Sequence, residues 1–201
     1  TTGNGPQEPV RSIRNSRYGY TNHEDVKVSY ASLETYLADI AKLVETGKLS
    51  EEKEFYAPVR LRGGKRVTDL ASAGIRYIEL RNIDIDPFAR YGISKEQVAF
   101  LHFFLLFLST KEEGNDADAW IEEGNQKNDQ VALEHPLAPL TYQQEAQALI
   151  AEMMDFAQAL ELPHPPFLDQ LSEMLAEPER TFAGRLFSAS QATSQAQTAT
   201  L

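Results

Sequence analysis

The sequence predicts an α+β fold whose strands lie in the first half and whose C-terminal half is mostly helical. Three observations predict it. Apolar and polar residues alternate at period two over 53–61 and 75–85, and apolar residues recur at helical spacing over 32–44. Two capping-box pairs, Ser94 with Gln97 and Thr141 with Gln144, each precede a long run suited to a helix. With 201 residues, 42% of them apolar, the chain can fill a core and suits one domain or a piece of a larger one.

Taken in order, Thr1 to Pro9 is rich in Gly, Pro and Thr and reads as loop, or as chain entering from something upstream. Leu33, Tyr36, Leu37, Ile40, Leu43 and Val44 form one helical face, with Gly47 where a C-cap belongs. From Lys53 to Leu61, Phe55, Ala57, Val59 and Leu61 alternate with Glu54, Tyr56, Pro58 and Arg60, strand spacing in which Pro58 forces an edge or irregular position. Glu54, Tyr56 and Arg60 then share a face. Gly63-Gly64-Lys65 suggests a hairpin turn, since the full phosphate-loop pattern is missing. From Ile75 to Ile85 the alternation sets Glu79 and Arg81 about 7 Å apart on an otherwise apolar side. Val98 to Leu108 is apolar nearly all round and predicts a buried helix. Later helices are expected from Thr141 to Leu162 with Leu149, Met153, Phe156 and Leu160 buried, from Phe167 to Ala176, and from Thr181 to Phe187. The sequence divides into a body, 1–187, and a flexible Ser/Ala/Thr/Gln tail, 188–201.

Charge narrows the function. The formal net charge is -11, which argues against nucleic acid or an anionic membrane as a partner, because both need a basic footprint. Its distribution is uneven: residues 1–110 carry 15 basic and 14 acidic groups, residues 111–201 only 4 and 16. Nine arginines fall in the first part, so an anionic ligand belongs there, since guanidinium groups recognise carboxylate and phosphate with paired bonds. There is no cysteine, which excludes disulfides, thiolate metal sites and cysteine nucleophiles. No apolar run approaches the roughly 20 residues of a membrane span, and Thr1 to Pro9 shows no secretory pattern, so the cytoplasm is expected.

Several candidate sites dissolve on inspection of spacing. His23, His102, His135 and His164 are scattered without a ligand spacing, and the acidic group around Trp120 (Glu112, Glu113, Asp116, Asp118, Glu122, Glu123) does not match a calcium loop. It reads as solvated surface. What remains is Arg14 and Tyr20, then Glu54, Tyr56 and Arg60, then Glu79 and Arg81. If the two strands pair with these faces together, arginines for anionic oxygens meet a carboxylate for a hard cation such as magnesium, the equipment of a nucleotide-dependent ligase. Spacing alone favours an ordinary salt-bridge network within a sheet over that reading.

Arg14-Asn-Ser-Arg-Tyr-Gly-Tyr20, Glu54-Phe-Tyr-Ala-Pro-Val-Arg60 and Tyr77-Ile-Glu-Leu-Arg-Asn-Ile-Asp-Ile-Asp-Pro-Phe88 resemble bacterial glutamate–cysteine ligase in order and separation. Trp120-Ile-Glu-Glu-Gly124 and Asp129-Gln-Val-Ala-Leu-Glu-His-Pro136 are most similar to the version fused to a glutathione-forming module, and Thr181-Phe-Ala-Gly-Arg185 resembles the family's closing segment. The resemblance implies the C-terminal part of a glutamine-synthetase-like catalytic domain, an antiparallel sheet with helices packed outside. It implies ATP, L-glutamate and L-cysteine as substrates, Mg2+ as cofactor, and the missing N-terminal part of the domain and a fused glutathione synthetase module as partners. Glu79 is then a magnesium ligand, Arg81 meets the transferring phosphoryl group, Arg14 binds substrate carboxylate or phosphate, and Tyr20 and Tyr56 line the cysteine pocket, with Glu54 and Arg60 as second choices. Position 86 departs from the pattern, with Asp86 where the family has an amide, which removes a donor there. The resemblance also implies that this chain is inactive alone, and leaves a non-catalytic or regulatory remnant of such a ligase as the alternative.

Overall fold

A computed structural model describes residues 5–22, 26–112, 114 and 116–198. In chain order they form α1 (Leu33–Glu45), a 3-10 turn at Glu52–Glu54, β1 (Val59–Arg62), a second 3-10 turn at Val67–Asp69 leading into α2 (Leu70–Ala73), and β2 (Tyr77–Leu80). Then come α3 (Lys95–Leu108), α4 (Ala117–Ala132), α5 (Gln143–Ala159), α6 (Pro166–Ala176), a 3-10 turn at Pro178–Arg180 and α7 (Phe182–Thr198). The mixed composition matches the α+β class, with a sheet of two antiparallel strands. The chain divides into two compact units, one of Ile13–Asp84 with Glu113–Gln130, the other of Thr1–Ser12, Ile85–Glu112 and Val131–Leu201.

The first unit is built around α1. Ser32 accepts from the Thr35 backbone N–H while Thr35 accepts from the Ser32 N–H, a reciprocal cap that satisfies two free donors. Gly47, at φ +72°, lets the chain leave the helix. Tyr36, Ile40 and Leu43 face a core completed by Val26, Leu49, Phe55, Ala57, Val67 and Leu70, with the Tyr36 ring against Tyr30 and Phe55.

The strands are shorter than their alternation suggests, for local reasons. Glu52–Glu54 closes a 3-10 turn, with the Glu54 N–H bonding the Glu51 carbonyl, so Glu54 leaves the strand and the face shared with Tyr56 and Arg60 is lost. Pro58 has no N–H to give a ladder but its carbonyl accepts from Arg81, and the pairing ends there. The register sets Val59 opposite Leu80, Arg60 opposite Glu79, Leu61 opposite Ile78 and Arg62 opposite Tyr77. The link between strands is no tight hairpin. Asp69 accepts from the Arg66 N–H and starts a helical turn, and Gly63 passes so near the strand exit that a Cβ there would lie 2.1 Å from the Gly74 oxygen.

The second unit packs α3, α5 and α6 around Phe103, Phe107, Met153, Ala157 and Leu168, with Phe156 wedged between the Phe103 and Phe107 rings. The predicted Ser94–Gln97 cap is present, Ser94 Oγ accepting from Gln97 N–H. Burial of α3 is one-sided, contrary to expectation: Val98, Leu106 and Leu108 stay exposed although the helix is apolar on every side. Likewise Leu149 on α5 and Leu160 at its C-cap are exposed while Met153 is buried. Thr141 makes no capping box, because Tyr142 is the N-cap residue and the Thr141 N–H is taken by Glu134.

The closing motif is structural. Thr181 Oγ1 accepts from Gly184 N–H at the start of α7, a Cβ at Gly184 would meet the Pro178 oxygen at 2.3 Å, and Phe182 and Arg185 both lie on the Phe88 ring. Phe88 itself follows Asp86, which is buried and accepts from the Phe88 N–H at 2.8 Å. That turn uses an acceptor, which a carboxylate offers as well as an amide does, so it needs no donor at position 86. The helix continues to Thr198, past the expected end at Phe187; Ala, Gln and Ser carry helix without an apolar stripe. Among the described residues no helix is long and apolar enough to cross a membrane.

Candidate functional site

The two strands bring together three of the residues singled out by spacing and add Arg62 to them. Because Arg60 stands opposite Glu79, the even-numbered face of β1 and the odd-numbered face of β2 coincide, and Arg60, Arg62, Glu79 and Arg81 share one side of the sheet. Arg62 donates to Glu79 Oε2 through Nε at 2.9 Å and Nη2 at 2.8 Å. Arg81 Nε lies 3.6 Å from Glu79 Oε1. Arg14 reaches the same place from the loop after Ile13, donating to the Arg81 carbonyl.

Arg81 also lies over the Tyr56 ring, 5.1 Å from its centroid, and the exposed Tyr20 ring is 6.2 Å from Tyr56. Tyr56 is fixed by Asn22, whose side-chain amide accepts from the Tyr56 N–H at 2.9 Å and donates to its carbonyl at 2.5 Å. Six of the seven predicted residues therefore connect. The seventh, Glu54, is engaged elsewhere: its carboxylate accepts from the Ser50 N–H at 2.7 Å.

Three guanidinium groups around one carboxylate set the electrostatics. The hydrogen bond from Arg62, reinforced by the charges of Arg62, Arg81 and Arg60, holds the Glu79 carboxyl below its usual range against partial burial. Arg60 is 6% exposed, and burial with the repulsion of Arg62 and Arg81 lowers its affinity for the proton. Burial raises Tyr36 and Tyr30, beside this face. The Tyr36 hydroxyl is the one sealed polar side-chain atom without a partner among the described residues.

The loop that carries Arg14 and Tyr20 is shaped by Ser16 and Gly19. Ser16 is buried and bonds the Ile13 carbonyl, and a Cβ on Gly19 would overlap the Arg14 carbonyl. Helix α4 holds it from outside. Asp129 accepts from the backbone N–H of Arg17 at 2.6 Å and from its Nε at 2.9 Å, and Asn128 donates to the Asn15 carbonyl at 2.7 Å. Burial raises the Asp129 carboxyl, but the bonds from Arg17 outweigh it and the net displacement is downward from 3.8. A depressed carboxyl contributes stability that is complete above its ordinary range and is lost as pH falls through the folded value. Asp129→Asn is therefore expected to be less stable than the parent in urea at pH 7, with the difference closing toward pH 3.

Arg62, Asn22, Asn128 and Asp129 were not singled out by sequence reasoning. Only the last two carried a signal, the i,i+4 pairing of Glu123 with Lys127 and Glu122 with Gln126 that marks α4 as a helix. The second unit holds an apolar cavity of about 330 Å³ lined by Phe100, Phe104, Met153 and Leu171. Its charged lining residue, Arg11, is paired with Glu134, so it offers no group for catalysis. His135 packs on Phe187 and His164 on Asp169, and His23 lies outside the described residues. Among the described residues no three His, Asp or Glu side chains cluster as a metal cage.

Comparison with known proteins agrees with the motifs. The family model described as glutamate-cysteine ligase matches residues 44–131. The glutathione biosynthesis bifunctional protein GshAB of Enterococcus faecalis is 50% identical over 193 residues, 96% of this chain and 26% of that protein. Its counterpart from Streptococcus agalactiae is 41% identical over 180 residues, 89% of this chain and 24% of that protein. The crystal structure of a bifunctional glutathione synthetase from Pasteurella multocida superposes with a TM-score of 0.83 at 36% identity, covering 90% of this chain and 24% of that one. A glutamate–cysteine ligase from Francisella tularensis, solved in complex with AMP, superposes at 0.79 and 20% identity over 94% of this chain and 48% of that one, a likeness of fold. The chain spans about a quarter of the length of the curated relatives it matches.

Proposed function

We infer the role of this chain from its kinship with the glutamate–cysteine ligases: it is the C-terminal part of a ligase catalytic domain of the kind fused to a glutathione-forming module. Its two strands belong to a glutamine-synthetase-like antiparallel sheet that the rest of the domain completes. The observation that carries the reading is the register of β1 and β2, which gathers Arg60, Arg62 and Arg81 around Glu79 with Arg14 held on the Arg81 carbonyl.

The reaction is ATP-dependent formation of γ-glutamylcysteine, the first step toward glutathione. The side-chain carboxylate of L-glutamate attacks the γ-phosphorus of ATP and ADP leaves; the amine of L-cysteine then attacks the acyl phosphate carbon, phosphate leaves, and the amine proton is lost. Both steps move negative charge among phosphoryl and carboxylate oxygens, so positioning and neutralisation dominate the catalysis. Arg81 meets the transferring phosphoryl group and Arg14 a substrate carboxylate or phosphate. Tyr56, fixed by Asn22, and Tyr20 line the cysteine pocket. Glu54, turned to Ser50, has the weakest claim to a substrate role.

Magnesium fits only as an ion whose other ligands come from water and phosphate. Mg2+ keeps waters and phosphate oxygens and takes one or two carboxylates, so Glu79 would offer one oxygen, Oε1 being the less engaged. When bound, the ion would neutralise charge on the phosphates. This reading places the protein in the cytoplasm, where ATP is available. The test is steady-state ADP production by the complete polypeptide carrying this segment: sustained turnover is expected to require both glutamate and cysteine and to yield γ-glutamylcysteine, with none from the 201-residue chain alone. Sustained ADP production without glutamate or without cysteine, and without that product, overturns the reading.

A further inference from the structure

Tyr56 stands just outside the sheet. The last cross-strand bond runs from the Arg81 N–H to the Pro58 carbonyl, and the 3-10 turn at Glu52–Glu54 ends two residues before Tyr56, so neither element pairs its backbone. The Asn22 side chain does so instead. Its amide oxygen accepts from the Tyr56 N–H at 2.9 Å and its amide nitrogen donates to the Tyr56 carbonyl at 2.5 Å. A residue opposite in a hydrogen-bonded antiparallel pair would make the same two bonds, and here one side chain makes both from 34 residues away. The residue type matters: an amide carries a donor and an acceptor on one carbon, aspartate lacks the donor, and leucine, of similar shape, lacks both.

This clamp acts on two rings at once. Tyr20 precedes Asn22 by two residues on the same loop, and its ring, 75% exposed, lies 6.2 Å from the Tyr56 ring at an interplanar angle of 35°. The chain ties Tyr20 to Asn22 and the amide ties Asn22 to Tyr56, so the separation of the rings depends on one side chain. Arg14 fastens the start of the loop to the Arg81 carbonyl, which leaves the Tyr20 end to Asn22. Aromatic rings attract a polarizable sulfur at about 5 Å, and a small added gap forfeits much of such a contact. A methyl group of the same size gains less from the same rings.

We propose that Asn22 is a positioning residue for the acceptor amino acid: by tying Tyr56 to the loop that carries Tyr20, it holds the two rings at the separation that selects a thiol side chain. The proposal rests on the ligase reading above, in which both tyrosines line the cysteine pocket, and adds what sets their spacing.

The test is steady-state formation of the γ-glutamyl product by the complete polypeptide, with L-cysteine and with L-2-aminobutyrate, which carries a methyl in place of the thiol. Asn22→Leu is expected to raise KM for cysteine ~10-fold, while KM for ATP, KM for glutamate and kcat stay within about threefold of the parent. Its preference in kcat/KM for cysteine over 2-aminobutyrate should narrow about threefold. Asn22→Gln, which restores both polar functions one methylene farther out, should bring KM for cysteine back to within about threefold of the parent. If all three KM values rise together, Asn22 only supports the fold and the proposal fails. It fails equally if KM for cysteine is unmoved, if the preference over 2-aminobutyrate is unchanged, or if Asn22→Gln is as impaired as Asn22→Leu. Should Asn22→Leu not fold, Asn22→Ser, which keeps one hydroxyl to serve the Tyr56 backbone, must show the same split in smaller degree. Parent turnover that does not depend on cysteine sinks the ligase reading; cysteine-dependent parent turnover with an unshifted cysteine KM in Asn22→Leu sinks this proposal alone.

Discussion

Glu79→Gln in the complete ligase is expected to lower kcat by about 10³-fold, close to 4 kcal/mol of barrier, with the unfolding curve nearly unchanged. The substitution keeps size and an acceptor oxygen for Arg62 but removes the one negative charge among three guanidinium groups. The amide also offers a poorer oxygen to a hard cation than the carboxylate does. Folding should survive because the Glu79 side chain is 36% exposed, where an ion pair contributes little to stability. Stopped-flow ADP release and a circular dichroism melt on one preparation separate the two effects. Turnover within a factor of ten of the parent would remove Glu79 from the chemistry and return the cluster to an ordinary salt-bridge network.

How much of this was legible depended on whether the deciding interaction was local. The α1 face and the Ser94–Gln97 cap are set within a few residues, and both formed as spacing implied. Convergence of Arg60 with Glu79 needed only period-two alternation and the right register, which the structure provides. Arg62 escaped notice because its contact with Glu79 is diagonal across the register, and a diagonal cannot be read before the strands are paired. Asn22 escaped because it pairs with a backbone 34 residues away. Glu54 was misplaced by a competing local turn. Helix α4 was missed because a charge-rich helix shows no apolar stripe, only its paired side chains. The apolarity of α3 overstated its burial, since hydrophobic sequence permits a buried face without supplying the neighbour that covers it.

The second large effect lies in the other unit and concerns stability. Glu134→Gln is expected to destabilise the chain by about 3 kcal/mol. Arg11 and Glu134 have side chains only 13% and 11% exposed, joined at 3.1 Å, and they staple the segment before Ile13 to the turn after α4. Arg11 also donates to the Ala138 carbonyl, and Glu134 accepts from the Thr141 N–H. Glutamine keeps the Thr141 bond but leaves the guanidinium without its countercharge in a largely dry site, and that residual charge is the main cost. The physical test is therefore a cycle, not a single variant. Arg11→Met alone should also lose stability, because it strands the carboxylate. Arg11→Met with Glu134→Gln should recover part of the loss, since no unpaired charge is left. Urea unfolding at pH 7 of the parent, both singles and the double gives the coupling. Strict additivity of the two losses would mean that the staple acts through its backbone bonds, Arg11 N–H to the Glu134 carbonyl and Ser12 N–H to the Ala132 carbonyl, and not through the ion pair.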